Sequence, residues 1–403
     1  MAETVNYKCP NCFGPLHYVG STGQLQCDYC ESTFDPQEVE RIYAQRQAEA
    51  DQKAKAEQQS SNADAPQEPK PSKSAAEASK DAASRVRVKR STATDPVQAY
   101  LENSELIEEN LRAYNCSSCG AQLMVDQVTA VTSCPYCGNN TVLPGQLSDT
   151  LKPDFVIPFK KSKEDAIAAL KEYYKGKRYL PNTFTNENHL EEIQGVYVPF
   201  WLYSGTAKGD MSFSGTETST WTDTENLYTN IDHFSLHRAG DLQFSRVPVD
   251  GSSRMPDTHM DAIEPFDYGE LTPFSVAYLP GYVTDRYDLD VTECKPRADT
   301  RAEASLEDAM RQTTQQFEGV TLEESKVSVT WSEISYALLP VWMLHTKWQD
   351  KDYLFAMNGQ TGRLIGDLPV DNGKATKNFL LIFGIGLVIM AVVVILFLDG
   401  FVA

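Results

Sequence analysis

Cys9-Pro-Asn-Cys12 and Cys27-Asp-Tyr-Cys30 are two CxxC turns separated by fourteen residues, and the arrangement returns as Cys116-Ser-Ser-Cys119 and Cys134-Pro-Tyr-Cys137. Each cysteine of the second set lies 107 positions after its counterpart in the first. Two neighbouring CxxC turns bring four thiolates around one ion, which is the ligand set and tetrahedral geometry that Zn²⁺ prefers. The sequence therefore predicts two zinc ribbons, each holding a structural Zn²⁺ ion with no open coordination position.

Iron–sulfur ligation and thiol redox chemistry are the alternative uses of such cysteines. A redox CxxC pair belongs on a thioredoxin-like βαβ unit, and no sequence of that kind surrounds these pairs. Four cysteines also ligate iron–sulfur clusters, but the paired-turn spacing favours zinc. A unit of about 30 residues buries too little apolar surface to fold without a metal.

The residues that follow the turns differ between the two sets. Glycine bends the backbone so that amides point at the thiolates, and Gly120 and Gly138 occupy these positions in the second set. The first set has Phe13 and Glu31 there instead, which predicts less regular turns in the first ribbon.

An uncharged run of 20 residues, Phe379 to Leu398, predicts a single transmembrane helix. As a helix the run is about 30 Å long, which matches the hydrocarbon core of a bilayer. Lys374 and Lys377 precede it, so the positive-inside rule places the N-terminal bulk in the cytoplasm. The residues from Met1 to Pro10 predict no secretory signal. Eight of nine cysteines fall in CxxC pairs and only Cys294 is left over, which fits metal ligation in a reducing compartment.

The predicted fold class is α+β, with the second half of the chain rich in antiparallel strands. The segments are zinc ribbon 1 (1–36), a helix and disordered linker (37–94), a helix with zinc ribbon 2 (95–145), an α+β domain (150–370) and the transmembrane helix (378–398). Helices are predicted from Asp95 to about Tyr114, at 162–175 and at 302–317.

Two strand-like runs, 197–203 and 336–344, each place a proline shortly before a tryptophan and each follow a predicted helix. They indicate either a duplicated unit of a helix and a β-hairpin or two unrelated buried strands.

The charge distribution bears on the class of partner. The formal net charge is -20, which repels nucleic acid and anionic lipid except where basic residues cluster. The only such cluster is Arg85, Arg87, Lys89 and Arg90, and neither ribbon is basic. Residues 201–300 hold 17 Asp and Glu against 7 Lys and Arg, which indicates either a solvated surface or an acidic face for a basic protein partner.

The sequence holds no recognisable catalytic motif. The GxSxG, P-loop and HExxH patterns are absent, and Gly359 to Gly362 has the composition of a hairpin turn. His233 and His237 have a metal-like spacing, and with Asp232 they are the candidates for an unrecognised enzymatic site. Because the surrounding residues are strand-like, a structural histidine pair is the alternative.

Several stretches together resemble a family of bacterial membrane-anchored proteins with transcription-factor-IIB-type zinc ribbons. They are Cys134-Pro-Tyr-Cys-Gly-Asn139, Phe155-Val-Ile-Pro-Phe-Lys160, Gly195-Val-Tyr-Val-Pro-Phe-Trp-Leu202, Val247-Pro-Val-Asp-Gly-Ser252, Ile263-Glu-Pro-Phe-Asp-Tyr268, Leu339-Pro-Val-Trp342 and Ala356-Met-Asn-Gly-Gln-Thr-Gly362. Family members often carry names borrowed from a primosomal helicase, but this sequence has no Walker motif. The resemblance covers most of 114–398 and implies membrane association, in some cases beside flotillin-like (SPFH) or phage-shock-type proteins. It implies no catalytic residues.

These observations favour a non-enzymatic adaptor that recruits proteins to the cytoplasmic face of the cell membrane, with the linker letting ribbon 1 reach a wide volume. The alternative is a membrane-tethered nucleic-acid-binding protein, which the ribbon type suggests and the acidic charge disfavours. No small-molecule substrate is indicated.

Overall fold

The computed structural model describes residues 8–46, 95–106, 112–116, 118–125, 134–137, 142–145, 150–182, 184, 190–349 and 351–402. The predicted linker at 58–84, the basic run at 85–90 and Gly138 lie outside these residues.

Ribbon 1 is a small antiparallel sheet in the order β1-β2-β3, followed by helix α1 over 36–46. The strands are β1 (Leu16–Val19), β2 (Gln24–Cys27) and β3 (Thr33–Phe34). Leu16 and Leu25 point inward from paired strands and are 3% and 0% exposed, so the ribbon has a core of only a few side chains.

An eleven-stranded sheet forms the centre of the fold, in the order β10-β7-β12-β8-β11-β5-β4-β6, with β9 on β8 and the β13–β14 hairpin on β12. Its strands are β4 (Arg112–Cys116), β5 (Gln122–Val125), β6 (Val142–Gly145), β7 (Phe155–Val156), β8 (Gln194–Thr222), β9 (Leu227–Asp250), β10 (Thr272–Pro273), β11 (Val283–Asp285), β12 (Glu318–Trp348), β13 (Lys351–Asn358) and β14 (Leu364–Gly366). Most neighbours are antiparallel, and β11 with β8 and β7 with β12 are parallel. The predicted α+β class is confirmed.

The helices that follow ribbon 1 include α2 (Pro96–Asn103), α3 (Lys163–Tyr174), α4 (Asp257–Ala262), α5 (Val291–Gln312) and α6 (Asn372–Val402). The prediction for α3 is confirmed, with Ser162 and Asp165 forming a capping box. Asp95 caps α2 as expected. However, α2 does not reach Tyr114, because Ser104 is extended and Leu106 forms a β-bridge with Leu151.

Helix α5 begins eleven residues before the predicted start at 302. Asp290 accepts hydrogen bonds from the amides of Thr292 and Glu293, and the Glu293 side chain returns to the Asp290 amide, so a capping box fixes the start. Pro296 lies inside the helix, which weakened the sequence signal for its first turns.

The two proline–tryptophan runs pair with each other in a symmetric manner. Val198 is opposite Leu339, which has the equivalent position in the other run. Gly195 pairs with Trp342, and their equivalents Tyr336 and Trp201 pair with each other. Each run follows a long helix and enters a hairpin, α3 before β8–β9 and α5 before β12–β13. This arrangement supports the duplicated-unit interpretation over two unrelated strands.

Strands β8, β9 and β12 continue far beyond this centre as a three-stranded arm, formed by 206–222, 227–244 and 318–330. Helix α5 covers one face of its base, where Met211 and Phe213 are each 1% exposed. Residues 217–233 at the distal end are all exposed.

Candidate metal centres and the surfaces around them

The four cysteines of ribbon 1 converge on one point. The Sγ atoms of Cys9 and Cys30 are 3.5 Å apart, and the Sγ atom of Cys12 lies 3.4 Å from those of Cys27 and Cys30. A tetrahedral zinc site with Zn–S bonds near 2.3 Å has sulfurs about 3.8 Å apart, whereas a disulfide has an S–S bond of about 2.05 Å. The sulfur positions therefore fit a four-coordinate metal ion, with all ligands supplied by the chain.

The second set has the same arrangement. Sγ–Sγ distances are 3.6 Å between Cys116 and Cys137 and 3.6 Å between Cys119 and Cys134. In both sets all four ligand atoms lie within 4.8 Å of one another. The structure thus brings all eight predicted ligands into two four-cysteine groups, while Cys294 lies apart, buried in α5.

Equivalent hydrogen bonds close the turns in both ribbons. The amide of Phe13 donates to the carbonyl of Cys9 over 2.9 Å, and the amide of Gly120 donates to the carbonyl of Cys116 over 3.0 Å. Gly120 has φ 73°, and Phe13 and Glu31 adopt φ 61° and 57°. The expectation of less regular turns in ribbon 1 is wrong. Phe13 and Glu31 adopt the same left-handed backbone conformation as Gly120, although both carry a Cβ atom.

Hydrogen bonds also prepare one thiol in each group for ligation. The Ser32 hydroxyl and the Ser32 backbone amide lower the pKa of Cys30 to about 6. Burial acts to raise the pKa of Cys116, but the backbone amides of Cys119 and Ser118 outweigh it and bring that pKa to about 7. Because thiolates are the metal-binding form, these hydrogen bonds favour ligation by Cys30 and Cys116 at neutral pH.

Ribbon 2 is continuous with the large sheet. Its strand β5 pairs with β11, with Leu123 opposite Asp285 and Met124 opposite Thr284. Strand β11 in turn pairs with β8 at the centre of the fold. The four-cysteine group of ribbon 2 therefore lies at one end of the main sheet.

Ribbon 1 packs against Phe159 and residues 278–280 of the α+β domain. The Tyr18 amide donates to the carbonyl of Pro280 over 3.2 Å, and the Tyr18 ring packs edge-on against Tyr278 with centroids 5.6 Å apart. A Cβ atom on Gly20 would lie 2.4 Å from the carbonyl oxygen of Phe159, so only glycine permits this approach. Ribbon 1 is thus held against the domain, contrary to the expectation that it ranges over a wide volume.

One tyrosine position has opposite environments in the two ribbons. Tyr29 and Tyr136 each precede the last cysteine of their set, but Tyr136 is 9% exposed and Tyr29 is 77% exposed. The Tyr136 hydroxyl lies beside the buried carboxyl of Asp285, and that carboxyl accepts a 2.7 Å hydrogen bond from the Ser252 hydroxyl. These tyrosines were not predicted as functional residues, although the 107-residue offset relates them.

Ribbon 1 exposes a second aromatic ring and two carboxylates at its turns. Phe13 follows the first CxxC turn and is 64% exposed. Asp28 precedes Tyr29 and Glu31 follows Cys30 in the second turn, and both are exposed. Asp28 Oδ1 lies 2.7 Å from His17 Nδ1. We name Phe13, Asp28, Tyr29 and Glu31 the knuckle patch. The counterpart of Phe13 in ribbon 2 is Gly120, so the aromatic pair is specific to ribbon 1.

The residues considered for an enzymatic site are not assembled into one. His233 and His237 lie on β9, as the strand-like sequence predicts, and are about 13 Å apart at ~3.3 Å per residue. Asp232 points to the opposite face of this strand. His237 Nε2 lies 2.7 Å from Asp210 Oδ1 at the surface. The turn at 359–362 is a hairpin turn, as predicted, and joins β13 to β14.

Helix α6 is long and apolar enough to cross a membrane. The most apolar 18 residues within Asn372–Val394 have a mean hydropathy of 2.4, and none of them is buried within the chain. Lys374 Nζ donates to the carbonyl of Leu180 over 2.7 Å and to Asn182 Oδ1 over 2.8 Å, which holds the start of the helix on the domain. An apolar surface exposed on every side is typical of a helix surrounded by lipid.

The chain thus combines two four-cysteine groups, an α+β fold with a mostly antiparallel sheet, and an apolar C-terminal helix. It is similar to Uncharacterized protein YdjG of Bacillus subtilis (strain 168), with 28% identity over 316 residues that cover 66% of this chain and 93% of that protein. No family model matches the chain, and no solved structure does.

Proposed function

We propose that this protein is a non-enzymatic adaptor of the bacterial cell membrane, in which a Zn²⁺ ion in each four-cysteine group shapes a rigid ribbon and ribbon 1 recruits protein partners. The observation that carries the proposal is the contrast between Tyr136, which docks on the main sheet, and Tyr29, which has the same place in its ribbon and is exposed. Because this face of ribbon 2 fits a protein surface, the same face of ribbon 1 is suited to another protein.

Zinc is the metal that the donor set supports. Four thiolates in paired turns match its tetrahedral preference, and a site closed by four protein ligands is structural. The two ribbons then have different roles, because ribbon 2 completes the sheet whereas ribbon 1 carries the knuckle patch outward.

The chemistry of the knuckle patch favours a protein partner over nucleic acid. Two exposed aromatic rings supply contact area at low entropic cost, as at protein interfaces. The Arg46 guanidinium lies over the Phe13 ring, 5.7 Å from its centroid. Asp28 and Glu31 nevertheless repel phosphates, which counts against the alternative of a nucleic-acid-binding ribbon.

The membrane location and its orientation belong to the same proposal. Helix α6 anchors the chain in a single pass, and Lys374 and Lys377 favour a cytoplasmic position for everything before it. The sequence resemblance adds flotillin-like (SPFH) and phage-shock-type proteins as the expected class of partner.

The test is affinity isolation of the full chain from detergent-solubilised membranes, with Phe13→Ala/Tyr29→Ala compared with wild type. We expect a partner protein that is recovered with wild type and lost with this variant, while the zinc content and membrane association of the variant are unchanged. Cys9→Ser/Cys12→Ser is expected to lose the same partner together with one zinc ion.

The matched control is Leu101→Ala, which removes a 44% exposed side chain from α2. It is expected to keep the partner. If the knuckle variant and wild type recover the same proteins, ribbon 1 is not the recruiting surface. Binding of DNA or RNA at low salt that Phe13→Ala/Tyr29→Ala abolishes would support the alternative function instead.

A further inference from the structure

The distal end of the arm has a face that the fold leaves uncovered. Helix α5 ends at Gln312, and Phe317 closes the covered region by packing on Phe234, with ring centroids 5.0 Å apart. Beyond Phe234 three successive cross-strand pairs share this face, and all six side chains are exposed. The pairs are Glu217 with Asp232, Ser219 with Asn230, and Trp221 with Tyr228.

The outermost pair is a pre-formed aromatic platform. The rings of Trp221 and Tyr228 stack with centroids 5.6 Å apart and an interplanar angle of 12°, and they are 54% and 41% exposed. Tyr228 donates a 3.1 Å hydrogen bond to Asp223, which also accepts from the amides of Glu225 and Asn226 and so closes the turn. The platform is therefore held in place without a partner.

The charge of this end is of one sign. Residues 214–235 and 318–323 contain six Asp and Glu and no Lys or Arg. Glu217 is directly opposite Asp232 on the uncovered face, and like charges in such a pair destabilise a sheet. A cation placed between these two carboxylates relieves that repulsion.

We propose that this face, which we name the tip face, binds an extended segment of a partner protein that carries Arg or Lys residues. One cationic side chain pairs with Glu217 and Asp232, and another lies over the Trp221–Tyr228 platform in a cation–π contact. The two subsites are four residues apart along the strand, about 13 Å, which matches cationic side chains four residues apart in an extended segment.

Two other occupants fit less well. Anionic lipid headgroups are repelled by the carboxylates. The basic run at 85–90 of the same chain is at most ten residues from Asp95, a reach of about 36 Å. Tyr100 of α2 contacts Trp201, so the basic run starts near this part of β8. The twenty residues of β8 from Trp201 to Trp221 span about 65 Å. This distance exceeds the reach of the basic run, which therefore does not reach the tip face of its own chain.

The tip face is separate from the knuckle patch and is tested separately. The probe is a fluorescein-labelled twelve-residue peptide with an Arg-Thr-Thr-Thr repeat, titrated with the full chain in detergent at low salt. Glu217→Gln/Asp232→Asn and Trp221→Ser/Tyr228→Ser are each expected to weaken binding by about tenfold or more, which corresponds to ~1.4 kcal/mol. All four side chains are exposed, so these variants are expected to keep the secondary structure and zinc content of wild type.

Asp241→Asn/Glu324→Gln is the matched control, because it removes two charges from the opposite face of the arm. It is expected to change the affinity less than about twofold, because these charges act on the peptide only through screened, longer-range attraction. Phe13→Ala/Tyr29→Ala is expected to bind the peptide as wild type does, which separates this proposal from the proposed function.

Three results overturn the proposal. The first is no binding of the peptide by wild type, and the second is equal weakening by the control and the tip variants. The third is binding of anionic vesicles that depends on Trp221 and Tyr228, which would identify the tip face as a lipid contact.

Discussion

Truncation of the two equivalent tyrosines measures how differently the ribbons are built into the fold. Tyr136→Ala removes a ring that is 9% exposed, and Tyr29→Ala removes one that is 77% exposed. The difference is about two thirds of the ~150–250 Å² that an aromatic side chain offers, which at ~25 cal/mol per Å² gives about 3–4 kcal/mol. We expect Tyr136→Ala to lower the free energy of unfolding by at least this amount, because a cavity is also left at the end of the sheet. Tyr29→Ala is expected to change it by less than about 0.5 kcal/mol.

The assay is urea unfolding of the full chain in detergent with saturating zinc, followed by tryptophan fluorescence, since Trp201 lies in the core of the sheet. Tyr136→Phe is the control. It keeps the ring and removes a hydroxyl that makes no well-aligned hydrogen bond with the described residues, so its expected cost is below about 1 kcal/mol. Equal destabilisation by the two alanine variants would refute the inference that ribbon 2 is part of the sheet and ribbon 1 presents a free face.

Three further predictions concern the metal, the pH and the anchor. Cys116→Ser/Cys119→Ser is expected to reduce the zinc content from two ions per chain to one and to destabilise the main sheet. The equivalent change in ribbon 1 is expected to remove one ion and to leave urea unfolding of the sheet nearly unchanged. Metal analysis and urea unfolding of both variants check this. Burial raises the pKa of Asp285 to about 7, so its contribution to the free energy of unfolding is complete below its unfolded-state pKa near 4 and is lost as pH rises through 7. We expect this group to lower the free energy of unfolding by about 1.4 kcal/mol between pH 6 and pH 8. Asp285→Asn is expected to lose correspondingly less stability over the same pH range. Deletion of 378–403 is expected to move the protein from the membrane pellet to the soluble fraction, and its retention in the pellet would show that α6 is not the sole anchor.

Local signals in the sequence predicted the features that depend on a few neighbouring residues. The spacing of the cysteines predicted both four-cysteine groups, because each CxxC turn positions two sulfurs by itself. Ser162 and Asp165 marked the start of α3 for the same reason. The capping box of Asp290 and Glu293 was also present, but Pro296 and a polar first half concealed the beginning of α5.

Contacts between distant residues determined what the sequence did not reveal. Tyr29 and Tyr136 have the same local context, so only the pairing of β5 with β11 makes one buried and the other exposed. The docking of ribbon 1 depends on Tyr18 meeting Tyr278, which lies 260 residues away. The platform of Trp221 and Tyr228 requires the register of β8 and β9, although the alternation of Thr and Ser before Trp221 was a signal for a strand with an exposed face.

The most direct test of ribbon 1 as the recruiting surface is photo-crosslinking from position 29 in intact membranes. A photoreactive phenylalanine analogue replaces Tyr29 in one form of the protein and Leu101 in another. We expect a discrete adduct with another protein from position 29 only, and its loss when Cys9 and Cys12 are replaced by serine. Adducts of equal yield from both positions, or none from position 29, would contradict the claim that ribbon 1 recruits the partner.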